Sequence, residues 1–277
     1  LSALVQIILS NMISFNNLGN LGRLANQMFQ YASLKGIARH RGYDFCIPPR
    51  TVFGQKDPMV KNSEMNIYDV FDIESKNTLG LLPNRVLMER MHTFDQELFV
   101  NCPDDIDLFG YYQTEKYFKH IEDEIREDFT FSEELYETCD TFIKENFTYR
   151  DVISLHIRRG DYVSNPNHPV QSLEYYRKAL AKLPDLDVMV FSDDPEWCSQ
   201  QELFSSDRFA IAEGNSPDAD MCLMSLCKYH IIANSSFSWW GAWLAKSEKV
   251  IAPRNWFAGD CIDKSVDDIP FGNFEFL

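Results

Sequence analysis

Short apolar runs alternate with amphipathic stretches through the second half of this chain, and that alternation limits the fold more than any other feature. Residues 152–157, 188–191, 209–212, 230–233 and 250–252 are runs of strand length. Between them, 173–183, 218–227 and 239–245 carry apolar side chains at helical spacing, the first behind Ser172, a residue type that caps helices. Strands alternating with helices imply βαβ units, a parallel sheet and right-handed crossovers. The first half repeats the theme more loosely. A strand is expected at 12–15, and Leu24, Met28, Tyr31, Ala32 and Ala38 share a helical face. A second strand follows at 43–47, 48–108 reads as irregular, and 117–129 and 133–147 read as helical. Two α/β units are expected, an N-terminal one over 12–148 and a C-terminal one over 149–277, with no internal repeat. At 277 residues and 45% hydrophobic content, the chain can bury a core in each.

The formal net charge of −16 makes nucleic acid and anionic membrane poor partners. It also makes any arginine cluster informative, because a phosphate-bearing ligand would need the little positive charge there is. Seven scattered cysteines, an odd number without C-x-x-C, suggest reduced, buried thiols and a cytosol-like compartment. No apolar run reaches the ~20 residues that cross a bilayer. The apolar start at 1–9 lacks a basic flank and is not expected to be a signal peptide, and Met12 is a candidate internal start. Glycosylation sequons occur at Asn146 and Asn234, the latter inside an apolar segment.

In parallel sheets ligands bind beyond the carboxyl ends of the strands. Four distinctive segments follow expected strands. His156-Ile157-Arg158-Arg159-Gly160-Asp161-Tyr162 places two arginines where a buried strand ends. A guanidinium presents a planar fork of donors that suits phosphate oxygens and keeps its charge. A surface turn with a local Arg–Asp pair is the plainer alternative. Asn234-Ser235-Ser236-Phe237-Ser238 runs into a helix whose free N–H groups and dipole would attract an anion, or is simple capping. Trp239 and Trp240 read as core. Gly22-Arg23-Leu24-Ala25-Asn26-Gln27 opens the first helix, with glycine for close backbone approach and amides to bond sugar or phosphate. Ser192-Asp193-Asp194-Pro195 offers carboxylates to a base edge, a ribose or a metal, or caps a helix.

Asp44 occupies the place of a ribose-binding acid and keeps a nicotinamide-dependent oxidoreductase as a remote rival. The triplets Asp105-x-Asp107, Asp185-x-Asp187 and Asp218-x-Asp220 resemble a metal pattern, but are expected by chance among 42 acidic residues. No zinc spacing, P-loop or nucleophile elbow occurs.

Together these segments resemble the α-1,2-fucosyltransferases of glycosyltransferase family 11. The resemblance lies in GRLANQMFQYA (22–32), FGYYQTEKYF (109–118), HIRRGDYVSNPN (156–167), SDDPEWC (192–198) and ANSSFSWWGAWL (233–244), in order across roughly 15–255. Ala25 departs from a common glycine. The resemblance implies a GT-B architecture of two facing Rossmann-like domains with the site in the cleft. An acceptor-binding N-terminal unit and a GDP-fucose-binding C-terminal unit would follow. It implies metal-independent, inverting transfer of fucose from GDP-β-L-fucose to the 2-hydroxyl of a galactose-type acceptor, with no cofactor. Another nucleotide sugar on the same scaffold is the alternative. A cytoplasmic protein, peripheral to a membrane as in some relatives, is expected.

On this reading Arg158 meets the charge that develops on the departing diphosphate. Arg159 supports the donor site, His156 orients the nucleotide, Ser235, Ser236, Phe237 and Ser238 take the phosphates, and the 22–27 turn closes over them. Asp193 and Asp194 join the donor site. The base that accepts the hydroxyl proton is open between Asp161, His168, Asp193 and Asp194.

Overall fold

The computed structural model describes residues 11–49, 65–73, 85–147 and 151–277. The apolar start at 1–10 and the segments 50–64 and 74–84 of the irregular stretch lie outside them. The chain divides into compact units at Leu1–Phe129 and Thr130–Leu277.

In the first unit the described elements are β1 (Met12–Ser14), α1 (Leu24–Arg41), β2 (Asp44–Cys46), α2 (Ile67–Val70), β3 (Arg85–Met88), α3 (Gln96–Asn101), β4 (Ile106–Phe109) and α4 (Glu122–Asp128). The sheet is parallel, in the order β2-β1-β4-β3. Helix α1 is buried on most of its circumference. Gly36 makes one close approach possible, since a Cβ there would stand 2.1 Å from the Tyr117 carbonyl oxygen. The helix stops at Gly42, whose φ of 67° is left-handed, with Tyr43 N–H returning to the Ala38 carbonyl at 2.8 Å.

Residues 48–108 are less irregular than expected. They hold β3, α3 and most of β4. Strand β4 is disguised by a buried aspartate: Asp107 accepts from Ser14 Oγ at 2.8 Å and Asn16 N–H at 2.7 Å. Burial raises its pKa and these two hydrogen bonds oppose the rise. The expected helix at 117–129 is broken. Two 3-10 turns precede α4.

The second unit begins with α5 (Glu133–Asn146), followed by β5 (Ile153–Ile157), α6 (Leu173–Leu180), β6 (Val188–Ser192), α7 (Pro195–Ser199), β7 (Phe209–Ile211), α8 (Pro217–Ser225), β8 (Tyr229–Ile231), α9 (Ser236–Leu244), β9 (Lys249–Ala252) and β10 (Phe274–Phe276). Helix α5 packs on α8, with Cys139 Sγ 3.8 Å from the Ala219 carbonyl oxygen. It therefore belongs to this unit, and the boundary falls at 129/130 rather than at 148/149. The parallel sheet has the order β10-β9-β8-β5-β6-β7.

Pleating sorts the residues of β5 onto two faces. Ile153, Leu155 and Ile157 join Tyr175, Tyr176, Ala179 and Cys198 in the core under α6 and α7. Ser154 and His156 point to the opposite face. Ser172 caps α6 as expected, accepting from Tyr175 N–H at 3.2 Å. Trp239 and Trp240 are buried core residues, again as expected, and Trp243 joins them. The seven cysteines are free and six are buried. Among the described residues no helix is long and apolar enough to cross a membrane, and the fold adds no support for a membrane-associated protein.

Candidate active site

The order of the second sheet places a topological switch point between β5 and β8. The chain leaves β5 toward β6 on one side and later returns to β8 on the other, so the loops after these two strands diverge and leave a crevice at their carboxyl ends. Those loops are the arginine segment and the serine turn. Two hydrogen bonds tie them together. His156 Nδ1 and Ser238 Oγ are 2.9 Å apart, and Tyr162 Oη donates to the Asn234 carbonyl at 3.1 Å. The Phe237 ring lies 6.0 Å from the imidazole of His156.

Asn234 itself is buried. Its amide donates to the Trp256 carbonyl at 3.0 Å and accepts from Gln171 Nε2 at 3.1 Å. That environment leaves no room for a glycan on the sequon. Ser235 then caps α9, accepting from Phe237 N–H at 3.3 Å, with Ser236 opening the helix. The first-turn N–H groups of α9 make the crevice electropositive.

The two arginines have different surroundings. Arg158 pairs with Asp161, and its Nη1 lies 2.9 Å from Asp193 Oδ2. Its guanidinium also sits 5.3 Å from the centroid of the Tyr162 ring. Arg159 has one carboxylate partner, with Nε 2.9 Å from Asp194 Oδ2, and lies closer to an aromatic face, its guanidinium 4.0 Å over the Trp197 ring. Asp193 also accepts the Arg159 backbone N–H at 2.8 Å, and Asp194 caps α7 through Trp197 N–H at 3.2 Å. The hydrogen bond from Arg159 is the main reason that the Asp194 carboxyl titrates below its usual range.

Gly160 provides the space for this packing. A Cβ there would stand 2.4 Å from Asp193 Oδ2. Three carboxylates thus hold two guanidinium groups. Asp161 has a side chain 53% exposed, against 25% for Asp193, and is the partner that Arg158 can most readily exchange for an anionic ligand. The carboxylates expected to contact donor or acceptor directly are engaged with the arginines.

His156 is buried, and its pKa is pushed down to about 3, by desolvation first and by the Arg158 charge second. His230, on β8, is pushed down to about 4 by burial, while its Nε2 donates to the Met224 carbonyl at 2.8 Å and its Nδ1 lies 2.9 Å from Ser247 Oγ. Both rings stay neutral in the fold well below 6.5. The unfolded chain therefore binds more protons between that value and the folded pKa values, and stability falls as pH drops through the window. By pH 4 the loss is about 3 kcal/mol for each ring. Denaturant titrations at pH 7 and pH 4 should show a smaller drop for His156→Gln than for the parent. Equal drops would remove His156 from this account.

The remaining expected site residues lie in the first unit, after β1. Gly22 has a φ of +78°, and a Cβ there would stand 2.7 Å from Asn26 Cβ. Arg23 is the exposed N-cap residue of α1, and the Asn26 amide oxygen accepts from Gln113 Nε2 at 2.7 Å. Gln27 is fully buried. It donates to the Gly22 carbonyl at 3.1 Å and accepts from Ile67 N–H at 2.9 Å. With both ends of its amide engaged, Gln27 shapes the turn rather than facing a ligand. Ala25 is buried within α1. Asp44 begins β2 instead of ending it, so it is not where a ribose-binding acid would be, and the nicotinamide reading loses its one residue.

One feature at the carboxyl end of the sheet was missed by reading the sequence. Asp218 and Asp220 lie in the first turn of α8, beyond the carboxyl end of β7. Asp218 Oδ1 is buried without a partner among the described residues, and burial raises the Asp220 carboxyl despite the hydrogen bond from Asn215. The signal in the sequence was Asp218-x-Asp220 after a strand, which chance also explains.

Residues 3–269 match the profile of Glycosyl transferase family 11. The chain is 34% identical to an Alpha-1,2-colitosyltransferase of Escherichia coli, with 85% of this chain and 90% of that protein covered. It is 26% identical to a Galactoside 2-alpha-L-fucosyltransferase SEC1 of Bos taurus, covering 83% of this chain and 64% of that protein. Among solved structures it is similar in fold to NodZ alpha-1,6-fucosyltransferase soaked with GDP-fucose. The TM-score is 0.54 and the identity 14%, over 90% of this chain and 97% of that one. The α/β fold with two parallel sheets is of the GT-B type, and the chain belongs to glycosyl transferase family 11.

Proposed function

We propose that this glycosyltransferase moves fucose from GDP-β-L-fucose to the 2-hydroxyl of a galactose-type acceptor, with inversion and without a metal ion. The observation that carries the reading is Arg158 at the switch point, just after β5, whose His156 is tied to the first turn of α9, and held by Asp193 and by the more exposed, exchangeable Asp161. As the anomeric bond breaks, negative charge grows on the β-phosphate and the sugar becomes oxocarbenium-like. Arg158 and the first-turn N–H groups of α9 are fixed donors for that charge, with no reorganisation required during reaction. Arg159 and Asp193 act as positioning residues. The buried Asp218 oxygen is an acceptor suited to the N–H donors on a guanine edge. On this reading the second unit holds the donor, and the first unit mainly holds the acceptor.

The likeness to a colitosyltransferase favours a second donor, GDP-colitose. Colitose is fucose without one ring hydroxyl. A site that hydrogen-bonds this hydroxyl should reject colitose by about 10⁴-fold, whereas a site shaped for colitose rejects fucose by only about 10²-fold. Parallel transfer assays with both donors and lactose, in EDTA, with the product linkage read by NMR, test the proposal. An α-1,2-fucosylated product formed at least as fast as the colitosyl product supports it. A colitosyl product alone, a retained anomer, or complete dependence on added metal contradicts it.

A further inference from the structure

Beside the arginine cluster, one side chain is firmly held yet makes no hydrogen bond through its buried nitrogen. The His168 imidazole stacks on the Tyr162 ring, with centroids 5.0 Å apart and planes inclined by 23°. Phe257 packs at 6.0 Å. Nδ1 is buried and has no hydrogen-bond partner among the described residues.

The segment leading to this ring is clamped. The Asn167 carbonyl accepts from Ala258 N–H at 2.9 Å, and Asn167 Oδ1 accepts from Asp260 N–H at 3.0 Å. Gly259 is required for the approach, because its φ is +52° and a Cβ would stand 2.7 Å from Asn167 Oδ1. The fold therefore fixes an imidazole that it does not itself use as a hydrogen-bonding group. Tyr162 links it to the reaction centre, since the same ring contacts the Arg158 guanidinium.

The charged groups near the imidazole are Lys264 and Asp161. Burial and Lys264 push its pKa down, and Asp161 opposes them. A neutral imidazole carries one proton. Placing it on Nε2 leaves only a lone pair at the buried Nδ1 and makes Nε2–H the donor that the half-buried ring can offer. An imidazolium would bury a second N–H without a partner, so His168 is poorly suited to accept a proton during catalysis.

We propose that His168 is an acceptor-binding residue: its Nε2–H donates to an oxygen of the sugar that receives the transferred residue, and the Tyr162–His168 stack flanks that sugar. The inference rests on the fucosyl-transfer reading and adds a subsite to it. The acceptor, bound there, attacks the anomeric carbon while the electron pair of the breaking bond leaves with GDP. The hydroxyl proton passes to solvent, not to His168.

The test is a steady-state comparison of the parent, His168→Ala and His168→Gln with GDP-fucose and lactose between pH 6 and 8, alongside calorimetric GDP binding. One neutral hydrogen bond corresponds to roughly a 10-fold rise in the lactose KM for His168→Ala, with kcat within about threefold. His168→Gln should recover much of the loss, because its amide can donate. The pH profile of kcat should keep its shape, and GDP affinity should match the parent's. A large fall in kcat with a changed acid limb would instead make His168 the base and overturn the proposal. An unchanged lactose KM would make it a structural residue and also overturn it. A parent enzyme that binds GDP but transfers to no galactoside would refute the functional reading itself and the subsite with it.

Discussion

Arg158→Ala should lower kcat for sugar transfer by roughly 10²–10³-fold, the usual effect of removing one preorganised donor from a developing oxyanion. Arg158→Lys should recover little, because an ammonium cannot engage two anionic partners in the plane of a guanidinium. Two features point to this residue rather than its neighbour. Arg159 is fixed between Asp194 and the Trp197 face, while Arg158 has an exposed partner in Asp161 that a phosphate can displace. Substitution should leave the fold intact, since Arg158 lies at a strand end outside the apolar core. Steady-state rates and melting temperature, measured together, check the prediction. Activity within tenfold of the parent at unchanged stability would show that another group meets the charge.

Gly160→Ala should give the second largest effect, a loss of about 10²-fold in kcat without removal of any functional group. The new methyl would overlap Asp193 Oδ2, which must move. Asp193 holds both Arg158 Nη1 and the Arg159 N–H, so its displacement re-aims the guanidinium. A misplacement of about 1 Å can cost this much when catalysis depends on orientation. The effect should appear in kcat more than in GDP affinity, because the charge remains while its direction changes. An unaffected kcat would mean that Asp193 can shift without moving Arg158, and its positioning role would fail. Asp193→Asn is the companion variant, keeping the shape and one acceptor oxygen. It should lie between the parent and Gly160→Ala.

The C-terminal unit was legible because its inner strands are buried on both faces and rich in apolar residues, nearly continuously in β6 and at every second position in β5. Their carboxyl ends carry the polar segments, so strand ends and site segments were found together. The sequence signal failed where polar residues serve the fold. Asp107 interrupts β4, and Val86 and Met88 of β3 are exposed on an edge strand, where apolar character does not mark a core. Strand β10 is a three-residue edge and has no periodicity to detect.

At the site, residue types were readable but their mutual engagement was not. Asp161, Asp193 and Asp194 are satisfied by arginines, and Gln27 by the backbone of its own turn and of Ile67. Which polar groups pair with one another and which stay available follows from three-dimensional proximity. The same limit hid Asp218, whose distinguishing property is a buried oxygen without a partner among the described residues.

The most direct measurement of the central claim is calorimetric titration of the parent and Arg158→Ala with GDP in the presence of EDTA, with UDP as the control nucleotide. The account predicts metal-free GDP binding by the parent, clearly weaker binding by Arg158→Ala, and little heat with UDP. No GDP binding until a divalent cation is added, or equal binding by the two proteins, would contradict it.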